Sequence, residues 1–84
     1  MGNESALQRK ILQHLQRRGY WGGRHTAAEN ALKGIPGHLV GEAKEALESL
    51  IKAHFILPKP THYGLQISLN PEQKAEIEAI INEK

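Results

Sequence analysis

The sequence predicts a small α+β domain, in which three helices are followed by a β-hairpin and a fourth helix. Apolar residues recur at helical spacing over residues 7–15 and again over residues 39–51. After His54 the apolar pattern changes to period two, which is typical of strands. The length of 84 residues is enough for one such domain, covering residues 1–84.

The first helix is predicted over residues 5–18. Ser5 and Gln8 have the spacing of a capping box, and Gly19 is a natural left-handed stop. Its apolar stripe comprises Leu7, Ile11, Leu12 and Leu15. A neighbouring polar stripe holds Lys10, Gln13, His14 and Arg17, which could contact phosphate or simply be a solvated face.

Residues 19–25 are predicted to form a flexible connector because they contain three glycines. Tyr20 and Trp21 are expected to fill the core where the helices meet. A second helix is predicted over residues 27–33, where Thr26 and Glu29 have the spacing of another capping box. Pro36 then separates this helix from the next one.

The third helix is predicted over residues 38–53 and is the most apolar of the four. Its inward stripe comprises Leu39, Val40, Ala43, Ala46, Leu47, Leu50 and Ile51. Gly41 costs about 1 kcal/mol relative to alanine inside a helix. Its presence therefore predicts that a neighbouring backbone approaches closely at this point.

A hairpin is predicted over residues 55–69. Pro58 and Pro60 lack backbone donors, so their strand is expected at a sheet edge or in a protruding hairpin. Asn70 and Pro71 then begin a last helix, over residues 71–82. Its apolar stripe, Ile77, Ile80 and Ile81, is expected to close the core or to form a two-fold dimer seam, so the chain is a monomer or a homodimer.

Charge is distributed unevenly along the chain, whose net charge is +2. Residues 1–62 hold nine Lys and Arg against five Glu, a net of +4, and residues 63–84 hold two Lys against four Glu, a net of −2. Basic character in the first half is typical of a phosphate-binding surface. It is also compatible with ordinary solvated charge.

The stretch from Ala43 to Pro71 resembles the second half of a winged helix-turn-helix domain. The residues that carry the resemblance are the apolar stripe of the third helix, the break into Phe55-Ile56-Leu57, the Tyr63-Gly64 pair, and the alternating strand before Asn70-Pro71. The resemblance implies a three-helix core, a two-stranded β-hairpin wing and a C-terminal helix. It also implies nucleic-acid binding, most simply by a small DNA-binding transcriptional regulator.

In the family the third helix enters the major groove and the wing contacts the backbone or the minor groove. Carried over by position, the contacts implied for the third helix are His38, Gly41, Lys44 and Glu45, and those for the wing are Lys59, Thr61, His62 and Tyr63. This sequence departs from the family pattern, because Glu42, Glu45 and Glu48 outnumber Lys44 and Lys52 on the outward face of the helix.

The acidic third helix motivates an alternative function: a winged-helix interaction module that contacts RNA, a ribonucleoprotein or a protein partner. Its basic surface is predicted at Lys10, Arg17, Arg18, Arg24, His25 and Lys33. Phosphate contacts at such a surface would position structured RNA as well as DNA.

Catalytic and metal chemistry are not expected. The chain has no Cys and no Asp, and its five His are 8 to 16 residues apart, so no zinc-ligand spacing occurs. We therefore expect no enzyme activity, no metal, no cofactor and no small-molecule ligand. No apolar run approaches the roughly 18 residues of a membrane span, and no signal peptide is recognisable, so a cytoplasmic protein without a membrane partner is expected.

Overall fold

A computed structural model describes residues 3–83 and shows, within that range, an α+β fold of three α-helices and a three-stranded antiparallel sheet. The helices are α1 (Asn3–Arg18), α2 (Val40–Lys52) and α3 (Lys74–Ile81). The strands are β1 (Thr26–Ala27), β2 (Ile56–Thr61) and β3 (Gly64–Leu69). Three 3₁₀ segments, Ala28–Leu32, Gly37–Leu39 and Pro71–Gln73, complete the fold.

The predicted second helix differs most from expectation. Strand β1 and a 3₁₀ helix, Ala28–Leu32, occupy this region, so the sheet has three strands instead of the predicted two. Thr26 does not form the expected capping box, because it pairs with Ile67 of β3. Its Oγ1 instead accepts a hydrogen bond of 2.8 Å from the Asn30 side chain.

The first and third predicted helices begin or end at residues other than those predicted. Helix α1 begins at Asn3, which places Ser5 inside the helix and rules out the capping box predicted there. Gln8 donates to the Glu4 carboxylate instead, at 3.1 Å. The predicted third helix, over residues 38–53, is a 3₁₀ turn followed by α2, which ends at Lys52.

The start of the last helical region is confirmed. The Asn70 side chain accepts a hydrogen bond from the Glu72 backbone N–H at 3.1 Å, and Pro71 follows Asn70 directly. The first turn is 3₁₀, so α3 itself is shorter than the predicted span of residues 71–82. The Asn70 amide also donates to the His54 carbonyl at 2.8 Å, which fixes the end of the hairpin to the end of α2.

The prolines of β2 lie on an edge strand, as predicted, because the sheet order is β1-β3-β2. The Asn70 N–H donates to the Phe55 carbonyl at 3.0 Å, immediately before the strand begins. Hydrogen-bonded pairs then alternate along the ladder, so Pro58 and Pro60 fall at the non-hydrogen-bonded pairs. Their missing N–H groups therefore remove no bond to β3.

The connector between α1 and β1, predicted to be flexible, is joined to the end of β3 by two hydrogen bonds. The Gly22 N–H donates to the Leu69 carbonyl at 2.9 Å, and the Leu69 N–H donates to the Tyr20 carbonyl at 2.8 Å. Tyr20 and Trp21 pack against the core, as expected.

The core lies where α1, α2 and the sheet meet, with α3 closing one side. Its fully enclosed large side chains are Ile11, Leu12, Leu15, Leu50, Ile56, Ile67, Leu69 and Ile77. The Ser68 hydroxyl is also buried, and it has no hydrogen-bond partner among the described residues.

The end of α2 gives a stability prediction. His54 has φ +67°, and the N–H groups of His54 and Phe55 donate to the carbonyls of Ile51 and Leu50, the hydrogen-bond pattern of a Schellman motif. Because a left-handed backbone strains any residue with a Cβ, His54→Gly is expected to raise the free energy of unfolding by about 1 kcal/mol. Urea denaturation measures the difference.

The control for that prediction is Ala53→Gly, one residue earlier, where the backbone is right-handed. Glycine there should lower the free energy of unfolding by about 0.5–1 kcal/mol. A His54→Gly protein no more stable than the parent would contradict the Schellman assignment.

Candidate nucleic-acid interface

Basic residues converge on a hollow beside the C-terminal half of α1. Its volume is about 340 Å³, and its lining comprises Lys10, Gln13, His14, Arg17, Ala31 and Lys33. The α1 residues are spaced three or four apart, which puts them on one side of the helix. The buried methyl group of Ala31 lies against this side, so Lys33 is brought next to the α1 stripe.

A smaller hollow of about 70 Å³ adjoins the first one. His14 and Lys33 line both hollows, and Arg18, Tyr20 and Asn30 complete the second. We call the five residues Lys10, His14, Arg17, Arg18 and Lys33 the basic cluster. The structure thus brings together four of the six residues that the sequence predicted for the alternative basic surface.

The other two predicted residues of that surface lie at its margin. The Arg24 guanidinium carbon is 5.7 Å from the centroid of the Tyr20 ring, in a cation–π contact. Because Tyr20 lines the smaller hollow, Arg24 extends the positive surface beyond it. His25 is half-buried and lines neither hollow.

The cations of the basic cluster are not neutralised by carboxylates. The ion pairs found among residues 3–83 join Arg9 to Glu83 at 3.8 Å and Lys74 to Glu78 at 3.3 Å. Neither pair includes Lys10, Arg17, Arg18 or Lys33, and the linings of both hollows are free of glutamate. Their positive charge is therefore available to an external anion.

His14 lies at the centre of this positive field. Burial lowers the pKa of its imidazole below the ordinary 6.5, and the charges of Arg18, Arg17 and Lys33 lower it further. The imidazole is consequently neutral at pH 7 in the free protein. The sequence places His14 on the α1 stripe, but the hollows that it lines together with Lys33 and Asn30 depend on the tertiary fold.

The surface predicted from the third helix and the wing is exposed but not basic. His38, Gly41, Lys44 and Glu45 are all exposed, as are the hairpin residues Lys59, Thr61, His62 and Tyr63. Glu42, Glu45 and Glu48 against Lys44 and Lys52 leave a formal charge of −1 on the α2 face. Such a face has little electrostatic attraction for phosphate.

The hairpin tip presents an aromatic ring to solvent. The Thr61 hydroxyl accepts a hydrogen bond from the Tyr63 N–H at 3.1 Å and donates to the Gly64 carbonyl at 2.8 Å. These contacts and the positive φ of Gly64, +119°, close the turn. Tyr63 is 98% exposed, and it is the one large apolar side chain that the described part of the chain leaves in solvent.

Gly41 is not explained by packing, and the predicted close approach of a neighbouring backbone is wrong. A Cβ built at this position has no neighbouring atom within 4 Å. Gly41→Ala is therefore expected to raise the free energy of unfolding by up to about 1 kcal/mol, because alanine loses less backbone entropy in a helix.

Urea denaturation tests the Gly41 prediction, with Gly64→Ala as the matched control. A Cβ at Gly64 also meets open space, but its φ of +119° strains any other residue, so this variant should be less stable than the parent. Destabilisation by Gly41→Ala would show that an unseen packing constraint acts on α2.

An apolar groove lies between the 3₁₀ helix Ala28–Leu32, α2 and β3. Its volume is about 270 Å³, and the side chains that line it are Ala28, Glu29, Leu32, Lys44, Leu47, Glu48, Ile51 and Leu65. The sequence analysis did not identify this groove, because it forms between segments whose contact is set by the tertiary fold.

Packing within the chain leaves fewer isoleucines available for the predicted dimer seam. Ile77 is fully buried within the chain, whereas Ile80 and Ile81 are half-buried against the same core. A seam on α3 could therefore use only Ile80 and Ile81.

Comparison of the chain with protein-family models, with curated proteins and with solved structures finds no match. Within residues 3–83, no group of three or more His or Glu is arranged to hold a metal ion. The described helices are all too short or too polar to cross a membrane.

Proposed function

We propose that this protein is a winged-helix nucleic-acid-binding protein that is held on the phosphate backbone by its basic cluster. The observation that carries the proposal is the convergence of Lys10, Arg17, Arg18 and Lys33 around two adjoining hollows without a carboxylate partner. Neutralising phosphates and releasing their counterions is the main source of affinity for nucleic acid.

The fold supports the winged-helix part of the proposal. The helix α1, the 3₁₀ helix Ala28–Leu32, α2, the β2–β3 hairpin and α3 follow one another in the order that the family resemblance implies, and β1 is an addition to that order. The third strand, β1, pairs with β3 and leaves the hairpin tip free to project.

The site of phosphate contact is the feature in which this protein departs from the family. Cations lie on α1 and at Lys33, whereas the α2 face is acidic. Docking through the basic cluster reads shape and charge and not base sequence. Duplex DNA and structured RNA both present the required array of phosphates.

A second candidate function is a DNA-binding transcriptional regulator that reads the major groove with α2. Two observations favour it. Gly41 leaves open space on the exposed side of α2, where a nucleic-acid backbone could approach, and Tyr63 projects from the tip of the hairpin that also carries Lys59 and His62.

Fluorescence anisotropy tests the proposed function with a mixed-sequence DNA duplex and an RNA hairpin. Four neutralised phosphates predict that log K falls with log salt at a slope of about −4 for duplex DNA. Phosphate contacts are strongest at low salt, and weak binding is detected at high protein concentration. Absence of binding to both probes at about 20 mM salt and about 100 μM protein would therefore overturn the proposal. The apolar groove would then be the starting point for a protein-interaction function.

A further inference from the structure

We propose that the hollow around His14 is a binding site for one phosphate group of the nucleic-acid backbone, and that the protonated imidazole donates a hydrogen bond to that phosphate. This inference rests on the proposed function and deepens it. It names the group that the basic cluster recognises and makes the binding dependent on pH.

The geometry of the site comes from two segments that the sequence separates. Helix α1 supplies His14 with its cationic neighbours, and the segment after β1 supplies Asn30 and Lys33. His14 and Lys33 line both hollows, so they stand at the junction between them. A phosphate at this junction would be within reach of donors on both segments, and charge-assisted hydrogen bonds of this kind are the strongest available to it.

Two polar side chains complete the donor set without adding charge. Gln13 lines the larger hollow, and the Asn30 amide, which donates to the Thr26 hydroxyl, lines the smaller one. The hydrogen bond from Asn30 to Thr26 orients the amide relative to β1. A phosphate between the two hollows could therefore accept hydrogen bonds from both charged and uncharged side chains.

The groups around His14 are Lys10, Arg17 and Arg18 from α1, Lys33 from the segment after β1, and Tyr20, over which Arg24 lies. In the free protein, burial and the charges of Arg18, Arg17 and Lys33 favour the neutral imidazole. A bound phosphodiester places a negative charge next to the imidazole and offsets part of the repulsion from these cations. Binding therefore raises the pKa of His14 from its lowered value.

The direction of the pH dependence follows from this change. The affinity for phosphate begins to rise when the pH falls below the pKa of His14 in the complex. The rise is complete once the pH is below the pKa of His14 in the free protein. Above both pKa values His14 is neutral in either state and contributes no proton-linked affinity. Nucleic acid should accordingly bind more tightly at pH 5.5 than at pH 8.

The test follows the His14 imidazole by NMR between pH 4.5 and 8.5 in the intact protein. Three samples of equal ionic strength contain sodium chloride, sodium sulfate, and chloride with a saturating mixed-sequence DNA duplex. Sulfate is used because it does not titrate in this range. We expect the duplex to raise the pKa of His14 by at least about half a unit, which corresponds to roughly threefold tighter binding at acid pH.

His54 is the internal control, because it is exposed at the end of α2 and lines neither hollow. His14→Gln keeps a hydrogen-bonding side chain but cannot gain a proton, so the increase in affinity between pH 8 and pH 5.5 should be lost in this variant. Unfolding curves of the variant check that it folds.

A duplex that binds without moving the pKa of His14 would overturn the phosphate site and leave the proposed function intact. Sulfate that moves this pKa when the duplex does not would indicate adventitious anion binding only, and it too would overturn the inference. Retention of the pH dependence by His14→Gln would show that another group takes up the proton.

Discussion

Reversing one charge of the basic cluster, Arg17→Glu, is expected to weaken binding of a mixed-sequence DNA duplex by about tenfold to hundredfold at 50 mM salt. The change removes a cation that lines the larger hollow and places a carboxylate beside the expected phosphate position. It should also make the salt dependence shallower by about one unit of slope, since one fewer counterion is released. Fluorescence anisotropy over a salt series measures both effects.

Lys44→Glu is the matched control, since it makes the same change of charge at another exposed helical position. Lys44 lies on α2 and lines neither hollow of the basic cluster, so this variant should bind within about threefold of the parent. Strong weakening by Lys44→Glu with little effect of Arg17→Glu would contradict docking through the cluster. That result would favour the α2 candidate instead.

Truncating the centre of the sheet is expected to give the largest loss of stability. Ile67 lies on the middle strand, opposite Thr26 on one side and Pro58 on the other, and it is fully buried. Ile67→Ala should lower the free energy of unfolding by about 3 kcal/mol, from lost apolar contact and from the cavity that remains. Urea denaturation monitored by circular dichroism measures the change.

Leu65→Ala, two residues earlier on the same face of β3, is the control for Ile67→Ala. Leu65 is half-buried at the side of the apolar groove, so its truncation should cost only about 1 kcal/mol. Equal losses from the two variants would be inconsistent with a core centred on Ile67.

The sequence was sufficient to predict elements whose signal is local and periodic. The apolar stripe of α1, from Leu7 to Leu15, is buried as expected, and Ala43, Ala46, Leu47 and Leu50 form the buried side of α2. The edge position of β2 was also predictable, since proline removes a backbone donor whatever the tertiary context.

Elements that depend on distant partners were not predictable in the same way. Strand β1 has only two residues, and its pairing with Ile67 and Gln66 brings together positions about forty residues apart. The Thr26 capping box failed for this reason, since pairing with β3 took Thr26 into the sheet. The Gly41 prediction failed because a helical glycine has no sequence signal that distinguishes a tight contact from open space.

The candidate site was predictable in composition but not in shape. Spacing along α1 placed Lys10, His14 and Arg17 on one stripe. Lys33 and Asn30 approach that stripe because the 3₁₀ helix packs against α1 through the buried side chain of Ala31. The hollows and the central position of His14 are therefore properties of the tertiary fold.

The most direct test of the central claim is an amide chemical-shift titration of the ¹⁵N-labelled protein with a mixed-sequence DNA duplex at low salt, repeated with an RNA hairpin. Docking through the basic cluster predicts that the largest shifts fall on residues 10–18 and 30–33. Shifts confined to residues 38–45 and 59–63, or no shifts with either nucleic acid, would contradict it.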